Sequence, residues 1–218
     1  MSNIPPYQQP ESSESIPVKQ RILEYAASLF MRFGVRRVTM DDIAKDLGIS
    51  KKTIYQYFKN KAAILTEASM AHFAEQRTQC SLITDASSNS IEELVKIFRW
   101  SLKTITRIPV GVIYDLRKYH PEVWGLLNDF KFHFVNGALI KALTKGQEDG
   151  LIRAELNPQI LAKLRIGQID TSLDAHLFPD DVYDQIEVQT HMFEVFIRGI
   201  VTEKGLTLFE EYMQEQDA

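Results

Sequence analysis

The chain has 218 residues, 44% of them hydrophobic and 25% charged, which suits a soluble globular protein of one or two domains with a sizeable core. No uncharged apolar run approaches the roughly 18 residues of a membrane span. The single cysteine, Cys80, excludes an intrachain disulfide and a cysteine-based metal site, so a cytoplasmic location is expected. The net charge of -4 is unevenly spread: residues 18–66 hold ten basic and four acidic side chains, against fifteen and twenty-five elsewhere. A basic head on an acidic body points to nucleic acid at one end, with the body repelled by phosphate.

Residues 1–17 (MSNIPPYQQPESSESIP) are dense in Pro, Ser, Gln and Glu and are expected to form a mobile tail, because they bury too little surface to offset ordering entropy. Ile22, Ala26, Leu29 and Phe33 recur on one face of a first helix, ended by Gly34. Thr39, with Asp42 three residues on, caps a second short helix that Gly48 stops. Ser50 caps a third, over residues 51–58. A longer helix follows from Lys61 through about Cys80, then a loop at residues 84–90. The next helix covers residues 91–108, with Pro109 and Gly111 marking its end. Further helices are expected over 121–148, from Pro158 to about Phe178, and over 182–204, with a last turn or two at 206–212. No stretch alternates with period two, so the fold class is all-α.

The informative segment is TMDDIAKDLGISKKTIYQYFKNK, residues 39–61. Two short helices joined by Gly48-Ile49-Ser50 make a helix-turn-helix. Glycine allows the sharp turn, Ala44 the close approach, and Ile43, Leu47, Ile49 and Ile54 a shared core. In such motifs the second helix enters the major groove, its N-terminal residues nearest the base edges.

On these residues the sequence resembles the TetR family of bacterial regulators. The resemblance is carried by Phe33-Gly34, Val38-Thr39, Asp42-Ile43-Ala44, Leu47-Gly48-Ile49-Ser50, Ile54-Tyr55, Tyr57-Phe58 and Asn60-Lys61, across about the first third of the chain. More weakly, DLRKYHPEVW (residues 115–124) and Asn157-Pro158 look like pieces of some members. The resemblance implies an omega-shaped homodimer. Its head, residues 18–64, would be a three-helix DNA-binding domain; its body, residues 65–218, would bind an effector and dimerise. Lys51, Lys52, Thr53 and Gln56 would face the major groove, Tyr55 and Tyr57 would touch backbone and bases, and Lys61 and Thr39 would meet phosphate. Two alternatives stay open: Tyr55 and Tyr57 as core aromatics, and Arg36 and Arg37 as phosphate contacts or solvated loop.

In the body, the last long helix is apolar on two sides. Val182, Ile186, Phe193, Ile197 and Ile200 form one face, and Val188, Met192, Val195 and Gly199 the other, as expected of a helix covered by its own domain and by a partner subunit. Ile166, Ile169, Leu173 and Leu177 of the preceding helix would join that interface. The aromatic-rich stretch 91–148 would house an apolar or aromatic small-molecule effector, with no pocket residue singled out. The five histidines are dispersed without metal spacing, and no nucleophile elbow or phosphate loop occurs, so no catalysis, cofactor or metal is expected. The functional expectation is a ligand-responsive regulator, a repressor, that binds a near-palindromic operator as a homodimer. The rivals are a DNA-binding regulator without a ligand and, further off, an all-α enzyme.

Overall fold

The computed structural model describes residues 17–105, 108–179 and 181–215. The expected tail therefore lies outside the described residues, except for Pro17, which opens the first helix. The fold is all-α; among the described residues the nearest approach to a strand is one antiparallel bridge between Ile152 and Val201.

Helix α1 (Val18–Phe33) buries Ile22, Leu23, Ala26, Leu29 and Phe30. It closes at Gly34, whose φ of +82° and N–H bond to the Phe30 carbonyl end the helix. Phe33 was expected on the same face. It sits instead on the last turn, where the chain departs, 47% exposed with the Arg32 guanidinium over its ring. Helices α2 (Met40–Leu47) and α3 (Lys51–Tyr57) follow. Gly48 between them is left-handed at φ +65°, and the Ile49 N–H reaches back 3.1 Å to the Ala44 carbonyl, so α2 ends in a turn only a residue tolerant of positive φ makes cheaply.

Helix α4 (Lys61–Asp85) is capped by the Asn60 side chain and runs 25 residues, about 37 Å. It outlasts the expected end near Cys80 because nothing in Ser81–Asp85 breaks a helix. Helix α5 (Ser90–Ile105) comes next, then α6 (Val110–Tyr119), which the sequence reading missed. Pro109, read as an end, is the N-cap of α6; a fixed φ suits a helix start as well as a stop. The expected helix over 121–148 is one continuous rod: α7 (Pro121–Asp129), a π-helical segment (Phe130–Val135) and α8 (Asn136–Glu148). Helix α9 (Pro158–Ser172) stops six residues before Phe178. Helix α10 (Gln185–Ile200) starts later than expected, where the Asp184 carboxylate accepts from the Ile186 and Glu187 amides, and Thr202 caps a separate α11 (Glu203–Gln214).

Two apolar clusters organise the molecule. The first fills the three-helix head and the start of α4, and it takes in Val112 of α6 and Val123 of α7. The second joins α5, α8, α9, α10 and α11 around Leu143, Ile152, Phe193, Ile197 and Phe209. Each fully buried aliphatic or aromatic side chain stabilises its cluster by about 1.5–3 kcal/mol. Because α6 and α7 belong to the head cluster while α8 belongs to the other, the rod formed by α7, the π segment and α8 spans both.

Candidate nucleic-acid interface

Helix α3 is short, and its Ser50 cap fixes where it points: the Ser50 Oγ accepts from the Thr53 amide at 3.0 Å and lies 2.8 Å from the Thr53 hydroxyl. Its inner side is Ile54, with Phe58 just beyond, both essentially sealed in the head core. Apart from the half-buried Thr53, the rest of it faces outward. Lys51, Lys52 and Gln56 are exposed, as are Tyr55 at 47% and Tyr57 at 45%, which removes the core reading of both tyrosines. Thr53 is half-buried. Lys51 is tethered to Asp41 of α2, Nζ to Oδ1 2.7 Å, and this bond raises its pKa. Among the described residues the side chains of Lys52 and Gln56 hold no hydrogen bond or ion pair, leaving their polar ends available at the surface.

Thr39 is exposed at the opening of α2. Its hydroxyl donates to the Asp42 carboxylate at 2.7 Å and accepts from the Asp42 amide at 3.2 Å, while the Thr39 amide donates back to Asp42 at 2.9 Å. This reciprocal cap, anticipated from the Thr-x-x-Asp spacing, satisfies two free donors. The Thr39 hydroxyl hydrogen bond holds the Asp42 carboxyl below the usual carboxylate range.

Lys61 behaves differently from the outward hand expected for phosphate. Its ammonium turns inward and donates to the carbonyls of Val35 at 2.8 Å, Arg36 at 3.3 Å and Val38 at 2.8 Å. Burial lowers its pKa, opposed by the charges of Asp115 and Asp42. Lys61 thus ties the α1–α2 loop to the start of α4. Lys61→Met should leave those carbonyls without a donor. The expected cost is about 1.5–3 kcal/mol, that of losing hydrogen bonds to a charged group, read as a lower head stability by amide exchange. An unchanged exchange pattern across residues 34–40 would refute the role.

The same loop is held from the body. The Asp115 carboxylate of α6 accepts from the Arg36 amide at 3.0 Å, and the Arg36 guanidinium lies over the Tyr119 ring, 5.3 Å from its centre. The sequence reading singled out DLRKYHPEVW without giving it a task. Asp115 and Tyr119 grip the head from within that stretch, a contact across 79 positions that local spacing does not announce.

In the body, α9 and α10 present an apolar surface to solvent. Ile160 is 66% and Val195 69% exposed, and Leu164, Gly167 and Thr171 line a shallow groove with the half-buried Met192. The expected division of α10 is corrected at its first turns. Val188 is buried while Val182 and Ile186 are exposed, because the start of α10 is held by the end of α9 through the Gln189–Ser172 side-chain bond. Among the described residues no helix is long and apolar enough to cross a membrane, and no group of His, Cys, Asp and Glu is placed to hold a metal ion.

Comparison with known proteins bears on this geometry. Residues 22–68 match the family model described as bacterial regulatory proteins, tetR family; this span holds α2, α3 and most of α1. The chain is 26% identical over 188 residues to the fatty acid metabolism regulator protein of Bacillus subtilis (strain 168), covering 84% of this chain and 96% of that relative. Its fold is also that of a Saccharomonospora viridis transcriptional regulator solved in complex with choline, with a TM-score of 0.73, 22% identity, and 85% and 98% of the two chains covered. A similar likeness holds to the Bacillus subtilis regulator FadR in complex with stearoyl-CoA, with a TM-score of 0.67, 21% identity, and 83% and 98% covered. With a capped helix-turn-helix of this geometry, residues 22–68 match the DNA-binding part of the bacterial tetR-type regulators, and along most of its length the chain is similar to regulators of that kind.

Proposed function

We propose that this protein is a cytoplasmic repressor that binds a near-palindromic operator as a homodimer and is released by a small-molecule effector. The observation that carries the reading is the outward row of α3, with Lys51, Lys52, Thr53, Tyr55, Gln56 and Tyr57 standing over the sealed Ile54 and Phe58. A helix fixed from beneath and polar on its outer side is what a major groove accepts. Lys52 and Gln56 are the candidates for base edges, with Lys51, Tyr55 and Tyr57 beside the backbone. Thr39 and the first amides of α4, at Lys61, are the candidates for phosphate. The DNA-binding head corresponds to residues 18–64 and the effector-binding and dimerisation body to residues 65–218.

The bare apolar surface of α9 and α10 supports the dimer. Ile160, Leu164 and Val195 would be covered by the same residues of a second copy around a two-fold axis, as self-complementary interfaces require. Two heads then engage half-sites one helical turn apart. The effector is an apolar or aromatic small molecule held in the body. The stearoyl-CoA and choline in the related crystal structures support a ligand-responsive body and leave its chemistry to this chain's own residues.

Selection of bound duplexes from random DNA by the full-length protein should return a near-palindromic site. Its affinity should fall steeply with salt, with log K falling by about 0.9 per neutralised phosphate for each decade of salt. Recovery of no sequence preference at low salt would remove the regulator reading.

A further inference from the structure

Arg165 of α9 is only 6% exposed, yet among the described residues no carboxylate pairs with it. Its one side-chain hydrogen bond among the described residues is a long one, Nη1 to the Gln168 side-chain oxygen at 3.4 Å, and its guanidinium lies over the Phe193 ring, 5.3 Å from the centre. Burial alone pulls its pKa down to about 10, so it still carries its charge at neutral pH. Interiors rarely hold a guanidinium without an anion, because desolvating it is costly and a planar five-donor fork asks for oxygen acceptors.

The rod that α9 packs against carries a second buried polar group, an acceptor. Helix α9 packs against α8, and its end is pinned to the π-helical segment where Lys131 meets Asp170, Nζ to Oδ1 2.7 Å. The Asn136 Oδ1 is shut off from solvent and has no hydrogen-bond partner. Asn136 also directly follows the π-helical segment, a local irregularity often kept at functional positions. Beside Arg165 the walls are apolar, with Phe98 stacked on Phe193 at 4.0 Å and Leu139 and Ile140 half-buried against the same cluster.

We infer that the effector is an amphipathic oxyanion, an apolar body ending in a carboxylate or phosphate, and that Arg165 receives its charged end. The inference rests on the ligand-responsive reading above and adds to it the charge of the ligand. The guanidinium donors of Arg165 bind the anion's oxygens, and the apolar chain lies along Phe193 and its neighbours. A neutral ligand of the same shape leaves the guanidinium as uncompensated as before.

The test uses the full-length dimer and matched probes: octanoate, octyl phosphate and octanol, and 4-phenylbutyrate with 4-phenylbutanol. Melting temperature and operator affinity are read with each. Octanoate or octyl phosphate, or 4-phenylbutyrate, should raise the melting temperature and weaken operator binding well beyond the matching alcohol; which of the two octyl anions acts more strongly assigns carboxylate or phosphate. Arg165→Met should fold as well as the parent, because it removes a buried charge, and should lose at least tenfold in response to the anions while its weak response to the alcohols persists. Arg165→Lys should recover part of the anion preference.

Alcohols as effective as the anions on the parent protein overturn the inference, and this arm needs no variant to fold. So does an Arg165→Met protein that keeps the anion preference, or one that falls to monomer in sedimentation, which would make Arg165 an interface residue. A protein that answers none of the probes but still selects an operator overturns the anion site and leaves the regulator standing. Loss of operator selection instead sinks the reading beneath it.

Discussion

Gln56→Ala is expected to weaken operator binding by about 30-fold to 10⁴-fold. A glutamine bidentate to adenine is worth about 1–3 kcal/mol of discrimination, and a homodimer loses it twice. The expectation follows from position: Gln56 lies one turn after Lys52 on the exposed side of α3, and neither side chain is committed to a neighbour among the described residues. The two residues should fail differently. Gln56→Ala should relax the preference at one symmetric pair of base positions and leave the salt dependence as it was. If Lys52 neutralises phosphate, Lys52→Ala should weaken all sequences alike and reduce the salt slope by about one unit per head. Duplex selection repeated with each variant separates the cases. A Gln56→Ala protein with an unaltered site preference would move base reading to Thr53 or the tyrosines.

Legibility in the sequence followed the range of the interactions. The head could be read because its determinants are local. The Thr39–Asp42 spacing specifies the cap, Gly48 the left-handed turn, and the apolar positions Ile43 and Ile54 the residues sealed beneath the turn. Helix α6 was lost because a proline-glycine pair marks a boundary without saying on which side the helix lies. Lys61 was misjudged because nothing about a lysine at a helix start tells whether its ammonium meets solvent or the carbonyls of a loop 23 to 26 residues earlier. Arg165 was not noticed at all, since burial of one cation among many is a tertiary fact. Its only local hint was a position in α9 next to Ile166, on the side that faces the core.

The path between body and head is also tertiary. Val112 and Val123 lie in the same apolar cluster as the helix-turn-helix, and Asp115 binds the loop that Lys61 also holds. A displacement of α6 or α7 therefore reaches the α1–α2 loop through packed side chains and the Arg36–Asp115 hydrogen bond. The rod of α7, the π segment and α8 carries Asn136 at one end of this path and Val123 at the other. An effector bound at Arg165, on the helix packed against this rod, has a contiguous mechanical route to the recognition helices, provided it favours one arrangement of the rod over another.

The largest effect on stability is expected from Gly205→Ala. Helix α11 begins where two backbone segments are laced together: the Thr202 amide donates to the Leu151 carbonyl at 3.0 Å and the Arg153 amide to that of Ile200 at 2.9 Å. The Thr202 hydroxyl donates to Gly150 at 2.9 Å and accepts from the Gly205 amide at 3.2 Å. Gly205 is pressed against this junction. A Cβ there would stand 3.0 Å from the Leu151 carbonyl carbon and 3.1 Å from the Val201 Cβ, with the Leu151 oxygen closer still. No rotamer relieves a clash with backbone, so either α11 moves off the body core, lifting Phe209, or the Leu151–Thr202 bond breaks. Overpacking costs about 1–3 kcal/mol when side chains can yield; with backbone in the way, about 3 kcal/mol or more is expected. For a chain of this length that lowers the melting temperature by about 6–12 °C. Gly137→Ala, in α8 with nothing within 4 Å of its Cβ position, is the control and should gain up to about 1 kcal/mol from helix propensity. Equal melting temperatures for the two variants would mean that α11 is free to shift, and that the lacing at Leu151 does not hold the body together.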